Sequence, residues 1–89
     1  MLEHEYIVGA AVGLHARPAA LLVRTAARFS SKTMVKNGEK QANAKSLLSV
    51  LALGAEHGAT VIMTADGADE GAAMDAMSAL FASDFGESA

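Results

Sequence analysis

Thr33-Met34-Val35-Lys36-Asn37-Gly38-Glu39-Lys40-Gln41-Ala42-Asn43 is the stretch whose reading decides the fold. Asn-Gly between two strand-like runs is the strongest short-range hairpin signal, because both residues tolerate the positive φ of a tight turn. Thr33–Lys36 and Lys40–Asn43 are therefore expected to pair as neighbouring strands.

Working outward, Ser46 is suited to cap a short helix through its hydroxyl, and Gly54 to end it. Thr60–Ala65 contains Val61, Ile62 and Met63 and reads as another strand, closed by Asp66-Gly67. A last helix is expected from about Asp69 to Asp84, with Ala73, Met74, Met77, Leu80 and Phe81 inward. Asp69 and Glu70 at its start suit the positive end of the helix dipole. On the N-terminal side, Pro18 to about Phe29 is helical, with Ala19, Leu22, Val23 and Ala26 on one face and Arg24 and Arg28 outward. Ser30-Ser31 ends that helix. Leu2–Val8 reads as a first strand, joined to the helix by a loop over Gly9–Leu14. The order is β-α-β-β-α-β-α, an α+β chain whose four strands are able to form one sheet with the long helices on one face. Periodicity leaves strand order open.

The chain has 89 residues, expected to form a single domain over 1–89 with a modest core. It contains no cysteine, which excludes disulfides and thiolate zinc sites. The start, Met1-Leu2-Glu3-His4-Glu5, lacks the basic and apolar regions of a signal peptide. Leu47–Leu53, the longest apolar stretch, is interrupted by Ser49 and too short to cross a bilayer. A cytoplasmic location without membrane insertion is the expectation. The net charge is −3, yet all seven basic residues fall between Arg17 and Lys45, with Glu39 the one acid among them. Such polarity suggests a single positive face that steers acidic partners.

Gly13-Leu14-His15-Ala16-Arg17-Pro18 carries the chemistry. Gly13 allows a turn that most residues resist, and Pro18 belongs in a first helical turn. His15 then stands where free backbone N–H groups and the positive helix end converge, which is an anion site. Arg17 adds a guanidinium able to hold a phosphate through two hydrogen bonds. The helix end disfavours the imidazolium, so the nucleophile stays neutral, and the same groups hold the anionic adduct. A histidine at a helix start is otherwise only a cap, and a lone arginine only a surface charge. It is the combination that points to phosphoryl transfer, in which positioning and charge stabilisation supply most of the catalysis.

At these residues the chain resembles the HPr family, the histidine-containing phosphocarriers of the bacterial sugar phosphotransferase system. Lys45-Ser46-Leu47-Leu48, Leu53-Gly54 and Gly67-Ala68-Asp69-Glu70 continue the likeness in matching order. The resemblance implies an open-faced sandwich with an antiparallel sheet, and phosphate on Nδ1 of His15 with Arg17 beside it. The phosphoryl group would come from the phosphoenolpyruvate-dependent enzyme I and pass to sugar-specific enzyme IIA components, with no cofactor or metal and no independent turnover. It also implies that a serine kinase/phosphorylase modifies Ser46, beyond that residue's capping role, and that a catabolite-control transcription factor recognises the product. Arg24, Leu47, Leu48 and Leu51 match docking residues. Adjacent leucines on a helix diverge by about 100°, so at least one of Leu47 and Leu48 is expected at the surface, in an apolar patch beside His15. Val12 and Ser49 stand where many relatives have serine or threonine and lysine, which affects partner preference.

Two other functions compete. One is a regulatory adaptor driven by Ser46 phosphorylation, with His15 a relic. The other is a small nucleic-acid-binding module, which an aromatic content of 4% and a pI near 5.4 disfavour. His4 and His57 lack metal-ligand spacing and read as structural or exposed. The methionines read as core filling. A monomer is the expectation for a shuttle that needs one exposed face.

Overall fold

The computed structural model describes residues 1–9 and 15–86. Its elements are β1 (Leu2–Ile7), α1 (Ala16–Ala27), β2 (Lys32–Asn37), β3 (Lys40–Asn43), α2 (Leu47–Ala52), β4 (Thr60–Asp66) and α3 (Glu70–Ala82), followed by a 3₁₀ turn at Asp84–Gly86. The strands form one antiparallel sheet in the order β1-β4-β2-β3. Since β1 and β2 both run antiparallel to β4, they are parallel to each other, with α1 crossing between them. By the same reasoning β3 and β4 are parallel, with α2 crossing between them. Two split β-α-β units interlock, each holding a strand of the other in its gap.

The helices cover one face of the sheet. α3 lies against β1 and β4, α2 lies against β3, and α1 contacts both helices from between them. Alternation sends Thr33 and Val35 of β2, Ala42 of β3, and Val61, Met63 and Ala65 of β4 toward the helices, where they are buried. Val8, Leu22, Val50, Met77 and Phe85 complete the interior. Full burial of each such side chain stabilises by roughly 1.5–3 kcal/mol. The result is an open-faced α+β sandwich of two layers.

The hairpin forms one residue later than the Asn-Gly signal indicates. Asn37 pairs with Lys40, so Gly38 and Glu39 are the turn residues, and of these only Gly38 has positive φ (64°). Asn37 stays in β2 because its Nδ2 donates to the Leu53 carbonyl (3.0 Å), joining the hairpin to the end of α2. Gly54 at φ 63° takes the chain out of that helix, as expected.

The last helix ends at Ala82, short of Asp84. Asp84 and Phe85 both adopt left-handed conformations (φ 51° and 57°). Such residues cost roughly 1–3 kcal/mol each. The turn they make buries Phe85 to 2% exposure, its ring edge-on to Phe81 at 5.0 Å. Phe81 in turn stacks on Tyr6 at 4.5 Å, and the Tyr6 hydroxyl bonds Ser78 Oγ, so β1, α3 and the C-terminal turn share one aromatic ladder.

The loop between α1 and β2 is held from across the molecule. The Asp69 carboxylate accepts from the backbone N–H of Ser30 (2.8 Å) and Ser31 (2.9 Å) and from the Ser31 hydroxyl. Its side chain makes no cap bond to its own helix. The Ser31 hydroxyl bond above all, with the Ser30 amide bond next, lowers the Asp69 pKa from 3.8 to about 2. Gly67 lies against the same serine, and a β-carbon there would stand 2.8 Å from Ser31 Cα.

Candidate phosphoacceptor site

α1 begins at Ala16, two residues before the expected start, with His15 as its N-cap in an extended conformation (φ −84°, ψ −166°). The His15 carbonyl accepts from the Ala19 N–H at 2.9 Å, closing the first turn. Pro18 is the third helical residue and has no N–H to leave unsatisfied. The amides of Ala16 and Arg17 therefore have no acceptor within the helix and point out of its N-terminus. The His15 side chain makes no cap hydrogen bond to them, and the residue is exposed. Arg17 is exposed too and has no ion pair among the described residues. Imidazole and guanidinium thus meet solvent at one helix end, whose first two amides have no acceptor among the described residues and which carries a partial positive charge. The turn expected at Gly13 and the substitution at Val12 lie outside the described residues.

The C-terminal turn packs against α1 and against the chain just after β1. Asp84 lies hard against Gly9, where a β-carbon would collide with the Asp84 carboxylate. Nothing local in the sequence announces this contact, which joins the end of β1 to the turn after α3.

Ser46 is the N-cap of α2, as expected. Its Oγ accepts from the Ser49 N–H (3.4 Å) and donates to Ser49 Oγ (3.0 Å). Lys45 reaches from the same turn to the Phe29 carbonyl (2.7 Å), binding the start of α2 to the end of α1. Leu47 and Leu48 are 41% and 80% exposed, so both reach the surface. Leu51 instead packs against the core, half-buried. α2 contacts α1, which puts the exposed leucines on the helix next to the one that His15 begins.

The basic residues do not form one face. Arg17, Arg24 and Arg28 are exposed on α1, with the Arg28 guanidinium 5.8 Å from the Phe29 ring. Lys32 and Lys36 lie on the side of the sheet away from the helices, because they alternate with the inward Thr33 and Val35. Lys45 is turned back onto a carbonyl. His4 stacks on Tyr6 at 6.1 Å, a structural position. Among the described residues no group of histidines and acids is arranged to hold a metal, and no helix is long and apolar enough to cross a membrane.

The protein-family model described as "PTS HPr component phosphorylation site" matches residues 2–83. The phosphocarrier protein HPr of Xylella fastidiosa strain 9a5c is 45% identical over 87 residues, covering 98% of each chain. The crystal structure of HPr-C-His from Thermoanaerobacter tengcongensis superposes with a TM-score of 0.96 at 43% identity, covering 100% of both chains. Crh, the Bacillus subtilis catabolite repression HPr, superposes with a TM-score of 0.63 at 33% identity, over 90% of this chain and 95% of its own. With a family match across most of its length, and relatives that align end to end, the chain belongs to the HPr family of phosphocarrier proteins, which carry a phosphoryl group without turnover of their own.

Proposed function

We propose that His15 accepts a phosphoryl group from enzyme I, charged by phosphoenolpyruvate, and passes it to enzyme IIA components that serve sugar uptake. The observation that carries this reading is the solvent-exposed imidazole at the N-terminal end of α1, beside Arg17 and the amides of Ala16 and Arg17, which have no acceptor among the described residues. In the transfer, the lone pair of Nδ1 forms a bond to phosphorus as the bond to the donor breaks. The ring proton resides on Nε2. The two amides and the guanidinium hold the equatorial oxygens, whose charge grows as the donor leaves. The reverse polarity serves delivery, since the same neutral imidazole is the leaving group.

Docking uses Arg17 and Arg24 for charge, with Leu47 and Leu48 as the apolar centre and Leu51 supporting them from beneath. Contacts of this size bind briefly, as a carrier that must leave each partner requires. Incubation with enzyme I and phosphoenolpyruvate is expected to yield an acid-labile, base-stable phosphate on the protein. His15→Ala is expected to take up none, and uptake by that variant would end the assignment.

The likeness to a catabolite repression HPr supports a second activity at Ser46. Phosphorylation there by a serine kinase/phosphorylase adds negative charge to the docking face and creates a surface for a catabolite-control transcription factor. Its signature is a base-labile phosphate placed from ATP. Nucleic acid is not a partner in this reading, and the site of action is the cytoplasm.

A further inference from the structure

Ser46 and Ser49 share a hydrogen bond that the capping of α2 does not require. The cap is the Ser49 N–H donating to Ser46 Oγ at 3.4 Å, and it needs only the backbone of position 49. The second bond joins the two hydroxyls, Ser46 Oγ to Ser49 Oγ at 3.0 Å, and it depends on the side chain. Ser49 is half-buried, between the exposed Leu48 and the buried Val50. α2 has six residues, so its dipole sums over few peptide units and its end offers an anion little by itself. The Ser49 hydroxyl is the distinctive feature of this turn.

In the unmodified chain Ser46 is the donor of that bond. Each hydroxyl both donates and accepts, so the bond can also run the other way. Phosphorylation removes this freedom. Oγ of Ser46 forms a bond to the γ-phosphorus of ATP, the bond to ADP breaks, and the hydroxyl proton passes to a base on the kinase. An ester oxygen and three phosphate oxygens remain at Ser46, and all are acceptors once the phosphate is a dianion. The hydroxyl of Ser49 must then be the donor.

Resting on the reading that Ser46 is phosphorylated, we propose that Ser49 is the positioning residue for that phosphate: its hydroxyl reverses direction, donates to a phosphate oxygen and holds the group against α2. Rotation about the Cβ–Oγ bond of Ser46 brings a phosphate oxygen within hydrogen-bond reach of Ser49 Oγ. A bond to an ionised acceptor is roughly twice as strong as one between neutral groups, so Ser49 favours the phosphorylated chain over the free one. It also favours the dianion over the monoanion, which lowers the second pKa of the phosphate. The charged and titratable side chains on the elements packed against α2 are Arg17, Arg24 and Arg28 of α1, His15 at its start and Lys40 of β3. Lys45, in the preceding turn, is held to the Phe29 carbonyl. These groups are common to every variant at position 49, so a comparison there isolates the hydroxyl.

Full-length chains that receive phosphoserine at position 46 during translation test this without a kinase. Failure of the underlying reading is seen separately, as a wild-type chain that a serine kinase and ATP do not label. In a phosphorus NMR titration the second pKa of the phosphate is expected to be higher in Ser49→Ala than in wild type by about half a unit, and to return in Ser49→Thr. Melting of the same chains with and without the phosphate is the second measurement. Ser49→Ala is expected to cost the phosphorylated chain more than the free one, whereas a merely structural hydroxyl would affect both equally. Equal pKa values in all three chains overturn the proposal. So does an effect of Ser49→Ala on melting that is independent of the phosphate, or a threonine variant that behaves as alanine.

Discussion

Thr33 is buried to 1% exposure and its Oγ1 has no hydrogen-bond partner among the described residues. An unpaired buried hydroxyl costs free energy that a methyl group does not. Thr33→Val is therefore expected to stabilise the fold by about 1 kcal/mol, read as a melting temperature higher by roughly 4–8 °C. Gly67 predicts the opposite sign. A β-carbon there meets Ser31 Cα at 2.8 Å, and backbone cannot move aside as a flexible side chain would. Gly67→Ala is expected to lower stability by about 1–3 kcal/mol in the same melting experiment. The opening of α1 was legible at this scale because its signal is local. A histidine, an arginine and a proline within four positions mark both the helix start and the charge beside it. The Asp84–Gly9 contact and the Asp69–Ser31 bond were not legible, because neither residue of either pair carries a local sign of its distant partner.

Among the elements, the bond from the start of α3 to the α1–β2 loop gives a pH dependence. Asp69 titrates near 2 in the fold, below its ordinary 3.8. A depressed carboxylate stabilises the fold above its unfolded pKa, and that stability is lost as pH falls through the folded value. Glu70, lowered mainly by the Gly67 backbone N–H and then by the N-terminal ammonium, acts in the same direction. Asp69→Asn is expected to melt below wild type at pH 7, with the gap closing between about pH 4 and 2 in urea titrations across that range. Ser46→Asp separates two roles of one residue. Aspartate caps a helix as well as serine does, so the melting temperature should hold. The added charge beside Leu47 and Leu48 should slow transfer to His15 by about tenfold, the effect of roughly 1.4 kcal/mol of repulsion at an acidic partner. The strands and long helices were legible from patterning and the Asn-Gly turn, and α2 from its two ends, but the 3₁₀ turn was not, and boundaries shifted where side chains found distant partners. Asn37 stayed in β2 for the Leu53 carbonyl, and α3 stopped early so that Phe85 reached Phe81.

For the whole molecule, alternation separates charges that are neighbours in sequence. The basic window divides between α1 and the far side of the sheet, which linear spacing does not reveal. Leu48, at 80% exposure, contributes little to folding. Leu48→Ala is expected to change stability by less than about 0.5 kcal/mol while reducing the rate of phosphoryl transfer, measured with enzyme I and phosphoenolpyruvate. The strand order also escaped sequence reading, since two interlocked crossovers and a simple meander share the same periodicities.

That order has a consequence during synthesis. Leu2 pairs with Ala65, and β1 has β4 as its sheet neighbour. The first strand to leave the ribosome must wait, solvated and unmatched, until the sixties of the chain have emerged. Central β4 also brings β1 and β2 into one sheet, so a nascent chain cut short before Thr60 holds a hairpin and fraying helices, and the sheet assembles in a late, cooperative step.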